Sequence, residues 1–221
     1  MTTSARIISV NVGRGVARSY ASGPVTAIDK RPVESIEVRD PGPKHGGLGS
    51  GALGDDIGDR KHHGGVNQAV YAYAREDLDW WADRLDRTLG SGVFGENVTT
   101  LGVDCTHARI GELWRIGDVT LQVQGPRIPC ATFAGHMGER AWVKRFTAEG
   151  RTGAYLSVVS PGVLKPGDGV AVERPGHDVD VLMAFRAFMG DLEAARTVLE
   201  ARVLNEVDHE DLARTVGRRA G

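Results

Sequence analysis

Leu113-Trp114-Arg115-Ile116-Gly117-Asp118-Val119-Thr120-Leu121-Gln122-Val123-Gln124 is the stretch that decides the fold. Its second arm alternates apolar and polar residues strictly, and Gly117-Asp118 supplies a two-residue turn. This pattern predicts a hairpin with one buried face. Outward from it, residues 155–159 and 169–173 read as strands joined through Pro161-Gly162 and Pro166-Gly167. Residues 5–12, 33–38 and 69–74 read as further strands. Leu78, Trp81, Leu85 and Leu89 share one helical face over residues 75–89, with Gly90 as the stop signal. Trp80 is expected to pack at the edge of that face. A second helix is expected over residues 139–149. The Pro- and Gly-rich run from Asp40 to Gly58 predicts a long mobile loop.

Short strands with two inserted helices suit a Greek-key or barrel-like β core better than a doubly wound parallel sheet. The first 176 residues are therefore expected to form a mainly β domain with inserted helices. From residue 177 the texture changes to helical spacing. Leu182, Phe185 and Met189 form one stripe, Leu192, Ala195 and Leu199 another, and Asp191 and Asp208 sit where N-caps belong. Three short helices are expected there, too small to fold alone, forming an appended C-terminal subdomain over residues 177–221.

The composition narrows the function. The chain has 221 residues, 41% hydrophobic and 25% charged, enough for a full core. Lys and Arg number 27 against 29 Asp and Glu, a formal net charge of −2. That balance speaks against generic nucleic-acid binding, which draws its affinity from neutralised phosphates. No apolar run approaches the roughly 18 residues of a membrane span, and the N-terminal residues carry no signal-peptide pattern. Two cysteines, Cys105 and Cys130, are too few for a disulfide framework or a four-thiolate zinc site. A reducing, cytoplasmic setting is the expectation.

Three segments could carry chemistry. In Asp59-Arg60-Lys61-His62-His63-Gly64-Gly65, consecutive cationic side chains precede two glycines. The run reads either as a solvated basic turn or as an anion grip in which glycine amides approach the ligand. Adjacent histidines lack the spacing of a zinc site. In Gly125-Pro126-Arg127-Ile128-Pro129-Cys130, two prolines present the cysteine from an extended segment, with Arg127 near enough to favour its thiolate. A buried structural cysteine is the alternative, and it is the reading for Cys105. In Phe94-Gly95-Glu96-Asn97, the Asn97 amide could orient a cofactor and Glu96 could carry a proton or accept structurally.

Taken in order, these three motifs resemble the MOSC domain, named from the C-terminal domain of molybdenum cofactor sulfurases, and within it the standalone YiiM-like branch with a three-helix tail. The resemblance spans essentially the whole chain. It implies a β-barrel that binds the molybdenum cofactor (molybdopterin), with Cys130 as the protein ligand to the metal. Arg60, Lys61, His62, Asn97 and Arg127 would hold the pterin and its phosphate, and His63 or Glu96 would relay protons. The implied activity is reduction of small N-hydroxylated compounds such as hydroxylamino-purines, with electrons from a separate reductase. The rival reading is a carrier that passes on a Cys130 persulfide or an intact cofactor, and a non-enzymatic binding module is a third. Neither nucleic acid nor a membrane is an expected partner, and a homodimer is left open. Pyridoxal phosphate, often mentioned with this family, is expected to belong to a separate N-terminal domain of the sulfurases. One residue departs from the family pattern: Thr132 stands where a basic residue often lies two places after the cysteine.

Overall fold

The computed structural model describes residues 4–220, with the side chains of 219 and 220 excepted. The predicted hairpin is present as β6 (Leu113–Ile116) and β7 (Val119–Pro126), paired from Ile116–Val119 outward. Trp114, Ile116, Leu121 and Val123 fill its buried face.

Around it curls an eight-stranded mixed sheet. The other strands are β1 (Arg6–Val12), β2 (Arg31–Val33), β4 (Val70–Ala74), β5 (Val98–Leu101), β8 (Ala154–Ser160) and β10 (Ala171–Glu173), and the order is β10-β6-β7-β8-β4-β5-β1-β2. Every pairing is antiparallel except β4 with β5. A parallel pair needs a long crossover, and α1 (Arg75–Leu85) begins that crossover. The β10 end of the sheet also meets β1, the strand next to the opposite edge. Gly169, just before β10, bridges Arg6, and Ile7 N–H donates to the Asp168 carbonyl at 2.9 Å. Those bonds draw the sheet into a barrel. Smaller β3 (Ile36–Val38) and β9 (Gly162–Leu164) pair beside it. No described helix is long and apolar enough to cross a membrane.

Several expectations about elements change. Residues 33–38 give β2 and β3 in two different sheets rather than one strand, because the chain breaks at Glu34-Ser35. The first helix ends at Asp86, which takes left-handed φ and ψ of 48° and 47° and donates its N–H to Ala82, four residues short of Gly90. Leu89 is buried from the following loop instead. The long loop of residues 40–58 is not a mobile excursion: it is stitched down by Arg39 N–H to Gly51 O at 2.9 Å and Gly51 N–H to Ala69 O at 2.8 Å. Helix α2 (Ala131–Met137), directly after Cys130, was not foreseen, and α3 (Trp142–Glu149) starts three residues later than expected. Asp208 is no N-cap. It lies in the first turn of α6 (Glu206–Ala220), and Asn205 Oδ1 accepts its N–H at 3.1 Å.

Two apolar bodies follow from this layout. One lies between the strands and includes Val181 and Ala184 of α4 (Val181–Met189), Ala195 and Val198 of α5 (Leu192–Ala201), and Leu212 of α6. The three tail helices thus share the apolar core of the barrel. Asp180 and Asp191 cap α4 and α5, each accepting backbone N–H groups in the first turn. The second body is aromatic and lies under α1, α2 and α3. Trp81 and Trp142 pack with centroids 4.7 Å apart and planes tilted by 53°, and Phe94 meets Phe133 edge-on at 5.2 Å. Trp80 stands at its margin, with the Arg84 guanidinium 3.4 Å above its ring.

Candidate functional site

The aromatic body fixes Arg127. Its guanidinium lies 4.2 Å from the centroid of Phe133 and 5.2 Å from that of Tyr71, and Nη1 donates to the Phe94 carbonyl at 2.5 Å. Its Nε is buried with no hydrogen-bond partner among the described residues. A buried guanidinium costs free energy unless paired. Here burial works against its charge, and Tyr155 and Tyr71, ahead of Cys130 and with no carboxylate among them, favour it.

Arg127 and Cys130 open on one cavity of about 110 Å³ that is continuous with solvent at its mouth. Lys30, Asp55, Tyr71, Asn97 and Tyr155 form its inner wall, and His63, Asp59 and the loop through Ser22 its outer one. Cys130 is half-buried, at the residue before α2, with extended φ and ψ of −123° and 170°. The two prolines on the approach hold that presentation. Thr132 bonds Ser22 instead of a ligand: it accepts the Ser22 N–H at 3.0 Å, and the two hydroxyls lie 2.8 Å apart. That contact pins the loop of residues 13–25 over the start of α2.

The basic run divides at His63. Arg60 is exposed and donates through Nη2 to Gly47 O at 2.5 Å, Lys61 is exposed, and His62 Nδ1 lies 2.8 Å from Asp59 Oδ2. None of these three side chains lines the cavity. His63 does, and burial followed by the charge of Arg127 lowers its pKa to about 4, so the imidazole is neutral at pH 7. The glycine amides do not await an anion either. Gly64 N–H donates to Gln68 Oε1 at 3.2 Å and Gly65 N–H to Gly49 O at 3.0 Å. Both glycines have positive φ, 88° and 81°, and a Cβ on them would sit 2.8 Å from Gly49 O and 2.6 Å from Lys44 N. Close packing of two loops requires them.

Asn97 lines the cavity with its amide already engaged: Oδ1 accepts from Tyr71 N–H at 3.1 Å, and Nδ2 donates to Asn11 O and Asp55 Oδ2. Glu96 lies behind the wall, fully buried. It accepts from Gly92 N–H, Phe94 N–H and Thr99 Oγ1, which organises the turn preceding β5. Burial raises its pKa against those bonds.

Sequence reasoning missed Lys30, Asp55, Tyr71 and Tyr155. The Lys30–Asp55 pair is buried, and burial lowers the Lys30 pKa while Asp55 opposes that shift. The one available signal was an Asp-Asp pair inside a glycine-rich loop; nothing local marks the tyrosines, which read as strand residues. Among the described residues no three His, Cys, Asp or Glu side chains stand together to hold a metal ion. The donor set is one soft thiol, one buried guanidinium with an unpartnered Nε, neutral hydroxyls and imidazole, and, beside them, the Lys30–Asp55 ion pair with the carboxylates of Asp56 and Asp59 toward the mouth. That set suits a metal arriving with its own sulfur ligands and an anionic tail, and it does not suit a bare ion.

Residues 59–171 match the MOSC domain family model. Protein YflK of Bacillus subtilis strain 168 is 29% identical over 205 residues, 90% of this chain and 89% of that protein. A protein named "Reductase" from Gibberella moniliformis is 31% identical over 131 residues, covering 57% of this chain but only 23% of that longer protein. The crystal structure of YiiM from Geobacillus stearothermophilus superposes with a TM-score of 0.74 at 24% identity, over 96% of this chain and 99% of that one.

Proposed function

Because the chain belongs to the MOSC domain family, we propose that it binds the molybdenum cofactor in this cavity and reduces small N-hydroxylated compounds. One observation carries the reading: Cys130 and the half-satisfied Arg127 face the same cavity, while no three-ligand metal site exists among the described residues. The cofactor supplies the two-electron chemistry; the balanced reaction is R–NHOH + 2 H⁺ + 2 e⁻ → R–NH₂ + H₂O. Cys130 gives the single soft protein ligand. Arg127 and Lys30, rather than Arg60 and Lys61, hold anionic groups inside the cavity, where a low dielectric strengthens their bonds. His63, neutral at pH 7, accepts or passes a proton at the outer wall. The chain's relation to a protein named as a reductase agrees with this reading.

The test is expression in a host that makes the cofactor, followed by molybdenum and pterin analysis and turnover with a chemical electron donor. Wild-type and Cys105→Ser proteins should hold molybdenum and reduce 6-hydroxylaminopurine, and Cys130→Ser should do neither. Equal molybdenum content in the two variants would overturn the ligand assignment. Bound cofactor without turnover would favour the carrier reading.

A further inference from the structure

Three tyrosines of this region differ in what their hydroxyls do. Tyr71 donates to Thr152 O at 2.6 Å and Tyr73 to Arg151 O at 2.7 Å. The Tyr155 hydroxyl has no hydrogen-bond partner among the described residues, although its ring is held at a centroid distance of 5.0 Å from Tyr71 and lines the cavity with Arg127 and Cys130. The register explains why it is open. Tyr155 of β8 pairs with Tyr71 of β4 on one side and with Gly125 of β7 on the other. Paired residues share a face of the sheet. Tyr71 therefore packs against one flank with its ring tilted by 39°, while Gly125 contributes no side chain to the other, and a Cβ there would meet nothing within 4 Å.

Resting on the reductase reading, we propose that Tyr155 determines specificity: its phenol donates to the oxygen of the substrate's N–OH group and so distinguishes an N-hydroxylated compound from the parent amine. A donor left unpaired in a half-buried cavity is a selection device. The ligand that satisfies it gains a hydrogen bond, and the ligand lacking the oxygen leaves a desolvated hydroxyl unpaired. Burial raises the phenol's pKa despite the opposing charge of Arg127, so the hydroxyl keeps its proton at any physiological pH. The amine product lacks the acceptor, which also favours its release.

The experiment compares 6-hydroxylaminopurine with adenine by calorimetry on the cofactor-loaded protein, alongside molybdenum content and melting temperature. Wild type should bind the hydroxylamine about 10- to 100-fold tighter than the amine, the range that one unpaired donor commands. Tyr155→Phe keeps the ring packed on Tyr71 and should bring that ratio close to one, with molybdenum content and melting temperature unchanged. Tyr73→Phe, outside the cavity and with a hydroxyl engaged by the Arg151 carbonyl, should leave the ratio as it is. A wild-type ratio retained by Tyr155→Phe overturns the role of Tyr155 alone. A wild-type protein that binds and reduces neither compound overturns the reductase reading with it.

Discussion

Lys30 and Asp55 form an ion pair in the wall of the cavity, with side chains only 8% and 2% exposed. Asp55 is also the acceptor for Gly13 N–H at 2.7 Å, Ser50 Oγ at 2.8 Å and Asn97 Nδ2 at 3.0 Å. One carboxylate thereby joins the end of β1, the stitched loop and the start of β5. Asp55→Ala strands a buried ammonium and three donors, and the expected loss is about 3–5 kcal/mol in urea unfolding. Adding Lys30→Met to that variant should restore part of the stability, since no charge is then left unpaired. A loss no larger than that of an exposed aspartate would mean that water replaces the pair.

The pH dependence follows from His63. Its folded pKa, about 4, lies below the ordinary value of 6.5. Above pH 6.5 both folded and unfolded forms are neutral and the stability is fully present. As pH falls from 6.5 to 4 the unfolded chain takes up the proton first, so wild type loses stability relative to His63→Gln by up to about 3 kcal/mol. Below pH 4 the difference stays constant. Denaturant unfolding of the two proteins at pH 7.5, 5.5 and 4 checks this, and parallel curves would show that the imidazole is not desolvated.

Lys61 and Gly64 are three residues apart and should respond in opposite ways. Lys61→Ala removes an exposed charge and should change stability by less than about 1 kcal/mol. Gly64→Ala forces a Cβ against the Gly49 carbonyl at a φ of 88°, and should lower the melting temperature markedly. Thermal scans of both variants decide whether this turn is a loop-packing joint.

Phe185 ties the tail to the barrel insert. It is 1% exposed and meets Phe146 of α3 edge-on at 6.5 Å. Phe185→Ala should cost about 3–5 kcal/mol, the usual range for a buried phenylalanine. Met189, from the same stripe, is 37% exposed, and Met189→Ala should cost far less. Similar losses from the two would mean that α4 packs differently.

The hairpin of β6 and β7 was legible because alternation and a two-residue turn are local properties, and the same holds for the capping aspartate Asp191, whereas Asp180, which caps α4, was missed. Helix α2 was not legible: Ala131–Met137 is too short to show a period, and Phe133 and Met137 are drawn in by the aromatic body beneath them. Of the site, the order of three motifs sufficed to find the segments around His63, Glu96 and Cys130, but not which side chains face inward. Arg60, Lys61 and His62 look like the best anion ligands on composition and lie outside the cavity.

The sequence by itself determined what each short segment prefers: strand alternation, prolines that hold Cys130 extended, glycines where φ must be positive, and an apolar stripe that needs a partner. Only the tertiary structure decided which charges are desolvated and which hydroxyl is left open. Those properties depend on neighbours far apart in the chain. Lys30 and Asp55 are joined across 25 residues, Arg127 is held by Phe94 across 33, and Tyr155 is exposed on one flank because Gly125 happens to be its partner across the sheet. Burial and register are set by pairing at a distance, and no local pattern of residues encodes them.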